Sequence, residues 1–325
     1  MEFDLKESSI LITGGTGSFG KKCTEILLRD GPPRRLVIFS RDELKQYEMQ
    51  QQFSDPCLRF FIGDVRDKDR LYRALQGIDT VIHAAALKQV PACEYNPFEA
   101  VNTNVLGAMN VINASIDRGV ERVIALSTDK AVTPVNIYGA TKLCAEKLFV
   151  QGNAYSGEEG TKFSCARYGN VLASRGSVIP LFQEQSLNGA ITITDQRMTR
   201  FCLTLEEGVG FVLRSLQEMV GGEVFVPKIP SMKITDLATA IGPECELKIT
   251  GIRVGEKIHE TLVSTEEARL TLDFPDRFLI QPAHPWWDVE DSHGGEPLAE
   301  GFSYSSDTNS DWLTVEDLRE IVATL

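Results

Sequence analysis

Short, uninterrupted apolar runs alternate with helix-like stretches along the first half of the chain. The apolar runs predict buried strands at 9–13, 35–39, 58–62, 80–84 and 122–126. Helical patterns between them fall at 21–29, 42–52, 67–75 and 96–118. Continuous apolar strands separated by helices are typical of a parallel sheet covered on both faces. The pattern therefore predicts an α/β fold with a doubly wound parallel sheet of the Rossmann type.

The pattern becomes less regular in the second half, where Gly, Pro and basic residues interrupt isolated strands. We expect residues 1–170 to form mainly the sheet domain and residues 171–287 mainly a smaller C-terminal substrate-binding lobe. The chain can cross back to the sheet within that lobe. Residues 288–325 are expected to form an arm and a final helix, whose start resembles a capping box of Thr314 and Asp317.

Composition narrows the function classes. The chain has 33 Lys and Arg against 46 Asp and Glu, a net charge of −13, which disfavours nucleic acid and anionic membranes as partners. Seven scattered cysteines and four unpaired histidines predict neither a disulfide framework nor a metal site. No apolar run reaches the ~18 residues of a membrane span, and no signal peptide is evident. A soluble, cytoplasmic protein is expected.

A glycine-rich loop follows the first predicted strand and opens the first helix. Gly14, Gly17 and Gly20 have the spacing GxxGxxG. Glycines let the backbone turn tightly and approach a pyrophosphate, and the helix N-terminus supplies N–H groups and a positive dipole. The loop therefore predicts a dinucleotide site. Further candidate contacts in the same loop are Thr16, Ser18 and Phe19.

The end of the second strand bears on the choice between NAD and NADP. NAD-binding domains usually place Asp or Glu there to bond the ribose 2′-hydroxyl. Here Ser40 and Arg41 occupy the place of a 2′-phosphate, which a guanidinium can bind with two hydrogen bonds. We therefore expect NADP, while Asp42 keeps NAD open. Asp64 and Val65 follow the third strand, where a carboxylate often meets the adenine amine.

A Thr/Tyr/Lys set predicts redox chemistry. Tyr138 and Lys142 lie one helical turn apart, and Thr128 ends the fifth strand ten residues before the tyrosine. A free phenol has a pKa of ~10, too high for a good base at neutral pH. A nearby ammonium and the positive ring of the cofactor both favour the phenolate. Thr128 can orient the substrate oxygen.

Together these motifs resemble the extended short-chain dehydrogenase/reductases over residues 8–265. This family includes sugar-nucleotide epimerases, dehydratases and reductases. The resemblance implies a nucleotide-activated sugar as substrate and a homo-oligomeric state. It also implies elements on the nicotinamide side of the cofactor at Ala84, Ala85, Ala86 and Asn104.

Asp129 and Lys130 follow Thr128, where 5-retaining sugar dehydratases carry Asp-Glu. Elimination of water across carbons 5 and 6 needs an acid for the 6-hydroxyl and a base for the carbon-5 proton. Asp129 can be the acid if it is protonated. Lys130 can be the base if burial near other cations lowers its pKa. A structural ion pair at the strand end is the alternative.

Longer segments resemble the inverting UDP-N-acetylglucosamine 4,6-dehydratases of this family, whose soluble members open pseudaminic acid biosynthesis. The segments are STDKAVTPVNIYGATKLCAEKLF, AALKQVPACEYNPFEAVNTN, YGNVLASRGSVIPLF, MTRF and GEKIHE. The likeness implies sugar-nucleotide contacts at Asn170 and Glu256. Candidates for the UDP phosphates are Lys88, Arg175, Arg200 and Arg253, each of which has a solvated surface charge as its alternative.

Two other functions stay open. A 4-epimerase of the same fold would return hydride to the other face of carbon 4 and leave the 6-hydroxyl in place. A non-catalytic NADP-binding regulator would be expected to carry a broken Thr/Tyr/Lys set, and here Thr128, Tyr138 and Lys142 are intact.

Overall fold

A computed structural model describes residues 3–157, 160–172, 178–283 and 294–324. The predicted phosphate contact Arg175 lies outside the described residues. So do residues 284–293, of which 284–287 belong to the predicted lobe and 288–293 to the predicted arm.

The first half alternates strands and helices. In chain order its elements are β1 (Ser9–Thr13), α1 (Ser18–Asp30), β2 (Arg35–Ser40), α2 (Glu43–Gln52), β3 (Leu58–Ile62), α3 (Lys68–Ala74), β4 (Thr80–His83), α4 (Val90–Tyr95), α5 (Pro97–Val101), a π-helical turn (Asn102–Leu106), α6 (Gly107–Arg118), β5 (Arg122–Thr128), a 3-10 turn (Asp129–Ala131), α7 (Ile137–Ser156) and β6 (Lys162–Tyr168).

The second half has shorter elements. They are β7 (Asn170–Val171), α8 (Val178–Ser186), β8 (Ala190–Ile193), β9 (Thr199–Leu203), α9 (Leu205–Glu218), β10 (Val224–Pro227), β11 (Ser231–Lys233), α10 (Ile234–Ile241), β12 (Glu246–Ile249), β13 (Thr261–Val263), α11 (Thr265–Ala268), β14 (Thr271–Asp273), β15 (Arg277–Ile280), β16 (Glu296–Pro297), β17 (Tyr304–Ser305) and α12 (Val315–Ala323).

The main sheet of the described residues has the strand order β16-β14-β15-β10-β6-β5-β4-β1-β2-β3. The seven strands from β10 to β3 are parallel, while β14, β15 and β16 run antiparallel at one edge. The order reverses between β1 and β4, which opens a ligand crevice at the carboxyl ends of these strands. The predicted doubly wound parallel sheet is confirmed.

Two buried apolar cores support this arrangement. The larger core lies on both faces of the main sheet. The smaller core joins α8, β8, β9, α10 and α12, all from the second half of the chain. Because β10 and β15 return to the main sheet, the second half contributes to both cores. The predicted boundary at residue 170 stays a prediction.

The predicted helix at 96–118 is wrong as a single helix. It consists of α5, a π-helical turn and α6. The extra residue of the π turn coincides with Asn104, whose amide bonds the backbone of Leu87 and the hydroxyl of Thr141. π turns of this kind are frequent at functional sites. The helical periodicity of the sequence does not reveal this interruption.

A buried ion network ties β6 to the helices around it. Arg167 is fully buried and donates to Glu146 of α7 at 2.6 and 3.0 Å and to Glu267 of α11 at 2.8 and 3.0 Å. Glu146 also accepts a 2.6 Å hydrogen bond from Ser127. Ser127 precedes Thr128 in β5, so the network fixes the strand end that carries the candidate catalytic residues.

Close packing fixes the turn that follows β5. Gly139 in the first turn of α7 contacts this turn, and a Cβ atom there would overlap the carbonyl oxygen of Lys130. Thr133, in the same connection, has φ +40°, the left-handed region that disfavours non-glycine residues. The packing of α7 therefore holds the backbone of Lys130 in place.

Replacing Arg167 by methionine should destabilise the fold. The change leaves Glu146 and Glu267 buried without their cation, which typically costs about 3–5 kcal/mol in the free energy of unfolding. Urea unfolding measures the loss, and Arg214→Met, at an exposed position of α9, is the matched control. A loss no larger than that of the control would contradict the network's role.

The pH dependence of that loss follows from Glu267. Burial acts to raise the pKa of Glu267, but Arg167 outweighs it and holds the pKa below its ordinary value. The ion pair therefore stabilises the fold above the ordinary glutamate pKa and is lost as the pH falls through the lowered value. The gap between wild type and Arg167→Met should narrow on acidification.

Gly139→Ala should destabilise the fold by about 1–3 kcal/mol, because the added methyl group forces α7 away from the Lys130 backbone. Thermal or urea unfolding measures the change. The control is Gly210→Ala, since a Cβ atom at Gly210 meets nothing within 4 Å. Alanine in that helix interior should be neutral or stabilising by roughly 0.5–1 kcal/mol. Equal behaviour of the two variants would refute the packing argument.

Candidate active site

A cleft of about 840 Å³ lies at the carboxyl ends of the parallel strands, between the sheet and the second-half elements. It is lined by most of the described residues that the sequence predicts for the site. The predicted residues in its wall are Gly14, Thr16, Gly17, Ser18, Phe19, Ser40, Arg41, Asp64, Val65, Ala84, Ala85, Ala86, Lys88, Thr128, Lys130, Tyr138, Lys142, Asn170, Arg200, Arg253 and Glu256. Gly20, Asn104 and Asp129 lie behind this wall.

The glycine loop is shaped for close backbone approach. Gly14 has φ +65°, and a Cβ atom there would lie 2.9 Å from the backbone of Ala85. The loops after β1 and β4 therefore touch, which only glycine allows. α1 begins at Ser18 with Gly17 as its N-cap, and no described side chain caps it. The N–H groups of its first turn face the cleft, where they can bind an anion.

The end of β2 favours a phosphate-bearing ligand. Ser40 is hydrogen-bonded to Thr16 at 2.7 Å, and Arg41 is half-exposed, 3.5 Å from Asp64. Asp42 caps α2 through the backbone N–H of Lys45 and also pairs with the Lys45 ammonium. The carboxylate of Asp42 is thus committed to its own helix, whereas Arg41 and Lys45 place two cations in the cleft wall.

Asp64 is held ionised. Burial acts to raise its pKa, but hydrogen bonds from Arg66 at 2.7 and 2.9 Å outweigh this and keep the pKa below its usual range. Arg66 pairs in turn with Glu99. The Asp64 carboxylate at the end of β3 can accept a hydrogen bond from an amine in the cleft.

Asn104, a predicted cofactor contact, lies behind the cleft wall, and its contact with a cofactor stays a prediction. Its side chain is buried behind the cleft and bonds Leu87 twice and Thr141 once, at 2.8 to 3.0 Å. It joins the loop after β4 to α7. The residue therefore positions the cleft wall, and in this structure it does not line the cleft. Gly20 likewise lies inside α1, away from the lining.

Tyr138 and Thr128 form the reactive end of the cleft. Both side chains line the cleft, and the Thr128 hydroxyl acts to lower the pKa of the Tyr138 phenol. Burial raises the pKa of Tyr138 to about 12, with the Lys130 ammonium and Thr128 acting in the opposite direction. The cation that acts most strongly on the phenol is therefore Lys130, whereas the sequence predicted Lys142.

Lys142 is turned toward the sheet. Its ammonium donates a 2.6 Å hydrogen bond to the carbonyl of Leu126, and burial lowers its pKa. It still lines the cleft beside Tyr138, one helical turn away. This position suits a residue that contacts a bound ligand and orients it against β5.

The Asp129–Lys130 pair lies directly beside the tyrosine. Asp129 is fully buried, and its Oδ1 accepts hydrogen bonds from Thr128 at 2.8 Å and from the Lys130 ammonium at 3.0 Å. The other oxygen, Oδ2, has no hydrogen-bond partner among the described residues. Lys130 also reaches Asn170 Oδ1 at 3.4 Å. The arrangement is an amine and a carboxylate that share one proton next to a phenol.

The sequence argument made Lys130 a base only if its pKa is lowered, and this structure does not meet that condition. Burial acts to lower the pKa, but the carboxylates of Asp129 and Glu260 outweigh it and raise the pKa above its ordinary value. The neighbouring cation that the sequence argument needed is present as Arg200, whose effect is smaller. Lys130 is therefore an ammonium in the structure as it stands.

The predicted phosphate contacts differ in how far their charged groups are already bonded within the protein and in how exposed they are. Arg200 is buried and donates to the carbonyls of Thr199, Ile258 and Lys257 at 2.7 to 3.0 Å. Those bonds favour a structural role, and its phosphate contact stays a prediction. Lys88 also lines the cleft; burial and the charge of Lys130 lower its pKa.

The pair at the outer rim is more accessible. Arg253 is exposed at the cleft rim, with its guanidinium 3.9 Å from the carboxylate of Glu256. Both side chains face the cleft opening, where a nucleotide ribose or phosphate could be bound. Their predicted roles as substrate contacts remain predictions.

Three charged residues of the cleft wall were missed by the sequence argument: Lys45, Lys257 and Glu260. Glu260 is buried, with Oε1 3.6 Å from the Lys130 ammonium, and Lys257 lies 4.0 Å from Oε2. They follow Glu256 in the segment GEKIHE, which the family resemblance had marked without assigning these two residues. No local pattern reveals them, because β9 and β13 bring this segment to the cleft from far along the chain.

Membrane and metal sites were also sought. Within residues 3–157, 160–172, 178–283 and 294–324, no helix has the length and apolarity needed to cross a bilayer. The same part of the chain contains no group of three or more His, Cys, Asp or Glu side chains arranged to hold a metal ion.

Comparisons with known proteins give the family. The model of a family described as "Polysaccharide biosynthesis protein" matches residues 10–282. The chain is 52% identical over 325 residues to the UDP-N-acetylglucosamine 4,6-dehydratase (inverting) of Campylobacter jejuni subsp. jejuni serotype O:2, covering 97% of each protein. It is 42% identical over 334 residues to the UDP-glucose 4-epimerase of Rickettsia conorii, covering 98% of this chain and 96% of that protein.

A solved structure agrees. Pen from Bacillus thuringiensis superposes with a TM-score of 0.89 at 37% sequence identity, covering 99% of this chain and 100% of that chain. The similarity thus extends over the parallel sheet, the cleft and the second-half elements together. The predicted family membership is confirmed: the chain belongs to the polysaccharide biosynthesis protein family of the extended short-chain dehydrogenase/reductases.

Proposed function

We propose that the protein is an NADP-dependent UDP-N-acetylglucosamine 4,6-dehydratase that inverts carbon 5. The observation that carries the proposal is the buried Asp129–Lys130 pair beside Thr128 and Tyr138. A 4-epimerase has no proton to remove from carbon 5 and no hydroxyl to expel, so it does not need this pair. The similarity to the Campylobacter jejuni relative of that name supports the same reaction.

The cleft fits a nicotinamide dinucleotide phosphate. The glycine loop and the uncapped start of α1 suit a pyrophosphate. Arg41 and Lys45 suit a 2′-phosphate, while Asp42, the acidic candidate for a ribose 2′-hydroxyl, caps α2. NADP⁺, when bound, would accept the carbon-4 hydride and later return it to carbon 6.

The residues of the chain would move the protons. Tyr138, as the phenolate that the Lys130 ammonium and the positive ring of a bound cofactor would favour, would accept the proton of the 4-hydroxyl, with Thr128 orienting that oxygen. The resulting 4-keto group acidifies the carbon-5 proton, which the neutral amine of Lys130 would remove. Asp129 would protonate the departing 6-hydroxyl, which leaves as water. Carbon 5 would then take a proton from solvent on the opposite face, which inverts its configuration, and Tyr138 would return its proton to solvent.

The Asp129–Lys130 pair can supply both groups at once. In the structure its proton is on Lys130. Transfer of that proton across the 3.0 Å hydrogen bond gives a neutral amine and a protonated carboxyl group. Removal of the carbon-5 proton and protonation of the 6-hydroxyl then restore the original pair. Protons balance over the step.

A UDP-sugar 4-epimerase is the second candidate. It is favoured by the 42% identity to the Rickettsia conorii protein of that name, which covers nearly all of both chains. The two reactions share the oxidation at carbon 4 and differ in the fate of the 6-hydroxyl. The product therefore distinguishes them.

The proposal also includes a cytoplasmic location, a homo-oligomer and a product that enters pseudaminic acid biosynthesis. The acidic composition and the family resemblance support these features. Fractionation of cells, light scattering of the purified protein and coupled assays of the product would test them separately.

Proton NMR of purified protein with UDP-N-acetylglucosamine in deuterated buffer tests the reaction. We expect a new carbon-6 methyl signal, deuterium at carbon 5 and couplings of the inverted sugar. Lys130→Met should give neither product nor exchange, because the base is missing. Asp129→Asn should allow deuterium to enter at carbon 5 while methyl formation falls steeply. Lys248→Met, an exposed lysine of β12, is the control.

The outcomes separate the candidates. A persisting 6-hydroxymethyl group with changed carbon-4 configuration would establish the epimerase, and Asp129–Lys130 would then be a structural pair. Full dehydratase activity in Lys130→Met would remove the proposed base. A UDP-sugar that is left unchanged by wild type at every concentration tried would refute the substrate assignment.

Arg41→Ala should weaken NADP⁺ binding by about 10- to 100-fold, since it removes charge-assisted hydrogen bonds to the 2′-phosphate. Binding of NAD⁺ should change little. Arg66→Ala is the matched control, because Arg66 pairs with the same Asp64 carboxylate but does not line the cleft. Isothermal titration with both cofactors measures the ratio, and an unchanged ratio in Arg41→Ala would exclude the NADP assignment.

A further inference from the structure

Glu260 is a buried carboxylate at the reactive end of the cleft that the mechanism above does not use. Glu260 is 3% exposed and lines the cleft, whereas Asp129 lies behind the cleft wall. Its Oε1 is 3.6 Å from the Lys130 ammonium and 3.9 Å from the Arg200 guanidinium. Its Oε2 is 4.0 Å from the Lys257 ammonium and has no hydrogen-bond partner among the described residues. One carboxylate therefore stands between three cations.

The backbone holds Glu260 firmly in that position. Its N–H donates to the hydroxyl of Ser306 at 2.9 Å, and its carbonyl accepts from the Ser306 N–H at 2.8 Å. Ser306 is fully buried and is bonded in turn to Thr199, which precedes Arg200 in β9. These bonds extend the pairing of β13 with β17 by one residue and fix the backbone from which the Glu260 side chain projects.

The three cations are anchored independently. Lys257 donates to the carbonyl of Val132, and Arg200 donates to three carbonyls. Lys130 differs from them in that the hydrogen bonds found for its ammonium among the described residues go to side chains, those of Asp129 and Asn170. Glu260 is its second carboxylate neighbour, after Asp129.

We propose that Glu260 is a positioning residue that, together with Asp129, controls the protonation of the Lys130 amine and so sets the pH range in which that amine can accept the carbon-5 proton. The catalytic part of this inference rests on the proposed dehydratase function. The effect on Lys130 itself belongs to the free protein and does not depend on a substrate.

The sign of the effect follows from the charges that face Lys130. Asp129 and Glu260 favour its ammonium form, whereas Arg200 and Lys88 oppose it. In the free protein near neutral pH, Tyr138 adds no charge, because burial raises its pKa to about 12. Removing the charge of Glu260 therefore leaves Lys130 with one carboxylate against its neighbouring cations.

The cation Lys257 adds to the same effect. It interacts with Glu260 and Lys130, and burial lowers its own pKa. Without the Glu260 charge, less negative charge offsets the repulsion between the Lys130 ammonium and the cations of Lys257 and Arg200. The pKa of Lys130 should then fall, and its amine should become available at lower pH.

Competitive acetylation of the intact protein over a pH series, read by peptide mass spectrometry, measures the pKa of individual lysines. In Glu260→Gln the titration of Lys130 should move to lower pH by roughly one pH unit, the effect expected of one close opposite charge. In Glu260→Asp, which keeps the charge, the shift should be much smaller. Exposed Lys248 serves as the internal reference.

Glu223→Gln is the matched control. Glu223 is also a fully buried glutamate, but it directly precedes β10, at the amino ends of the parallel strands and away from the cleft, and it bonds Ser164 and the N–H of Gly221. It should leave Lys130 unaffected. If Lys130 titrates identically in wild type and Glu260→Gln, or moves equally in Glu223→Gln, the proposal is overturned, whether or not wild type dehydrates the sugar.

The pH profile of kcat/KM tests the catalytic consequence. Its acidic limb reports the loss of the essential base, so this limb should move to lower pH in Glu260→Gln and stay in place in Glu260→Asp and Glu223→Gln. A shift of Lys130 in the acetylation series without movement of the limb would refute the catalytic part. Failure of wild type to form a 6-deoxy product would instead refute the proposed function.

Discussion

The burial of charged side chains away from solvent is the constraint on which the rest of this structure depends. At the end of β5, Asp129 is fully buried and Lys130 is largely so, and charges in such a place need partners within the protein. The partners come from distant segments. Glu260, just before β13, faces the Lys130 ammonium, and Arg167 supports the end of β5 from behind through Glu146 and Ser127. The second-half elements must therefore pack on the sheet before the pair has a defined geometry.

The sequence predicted the elements whose signals are local. Five strands were placed within two residues of their observed ends, because buried parallel strands are short apolar runs. The glycine loop and the Tyr138–Lys142 spacing were equally readable, since each depends on a few neighbouring residues. Their positions in one cleft follow from the strand order, which parallel α/β topology restricts strongly.

What the sequence could not reveal depends on distance in space. The interruption of the helix at Asn104 depends on bonds to Leu87 and Thr141, and the charge on Lys130 depends on a carboxylate 130 residues away. For Lys130 the sequence argument could state only a condition, that burial near other cations lowers its pKa, because the charges around it come from distant segments. Two carboxylates at 3.0 and 3.6 Å raise the pKa instead.

The hydrogen bonds between Ser306 and Glu260 affect the order in which parts of the protein fold during synthesis. The strands that form the glycine loop and the Thr128–Tyr138 end are complete once β6 has left the ribosome, and domains generally fold from the N-terminus as they emerge. Ser306 lies 46 residues after Glu260 along the chain, so Glu260 gains its backbone partners only after that later segment has emerged. A nascent chain can therefore form its glycine loop well before the site around Lys130 is complete. The Lys130 amine reaches its final electrostatic environment only after the segment that carries Ser306 has packed.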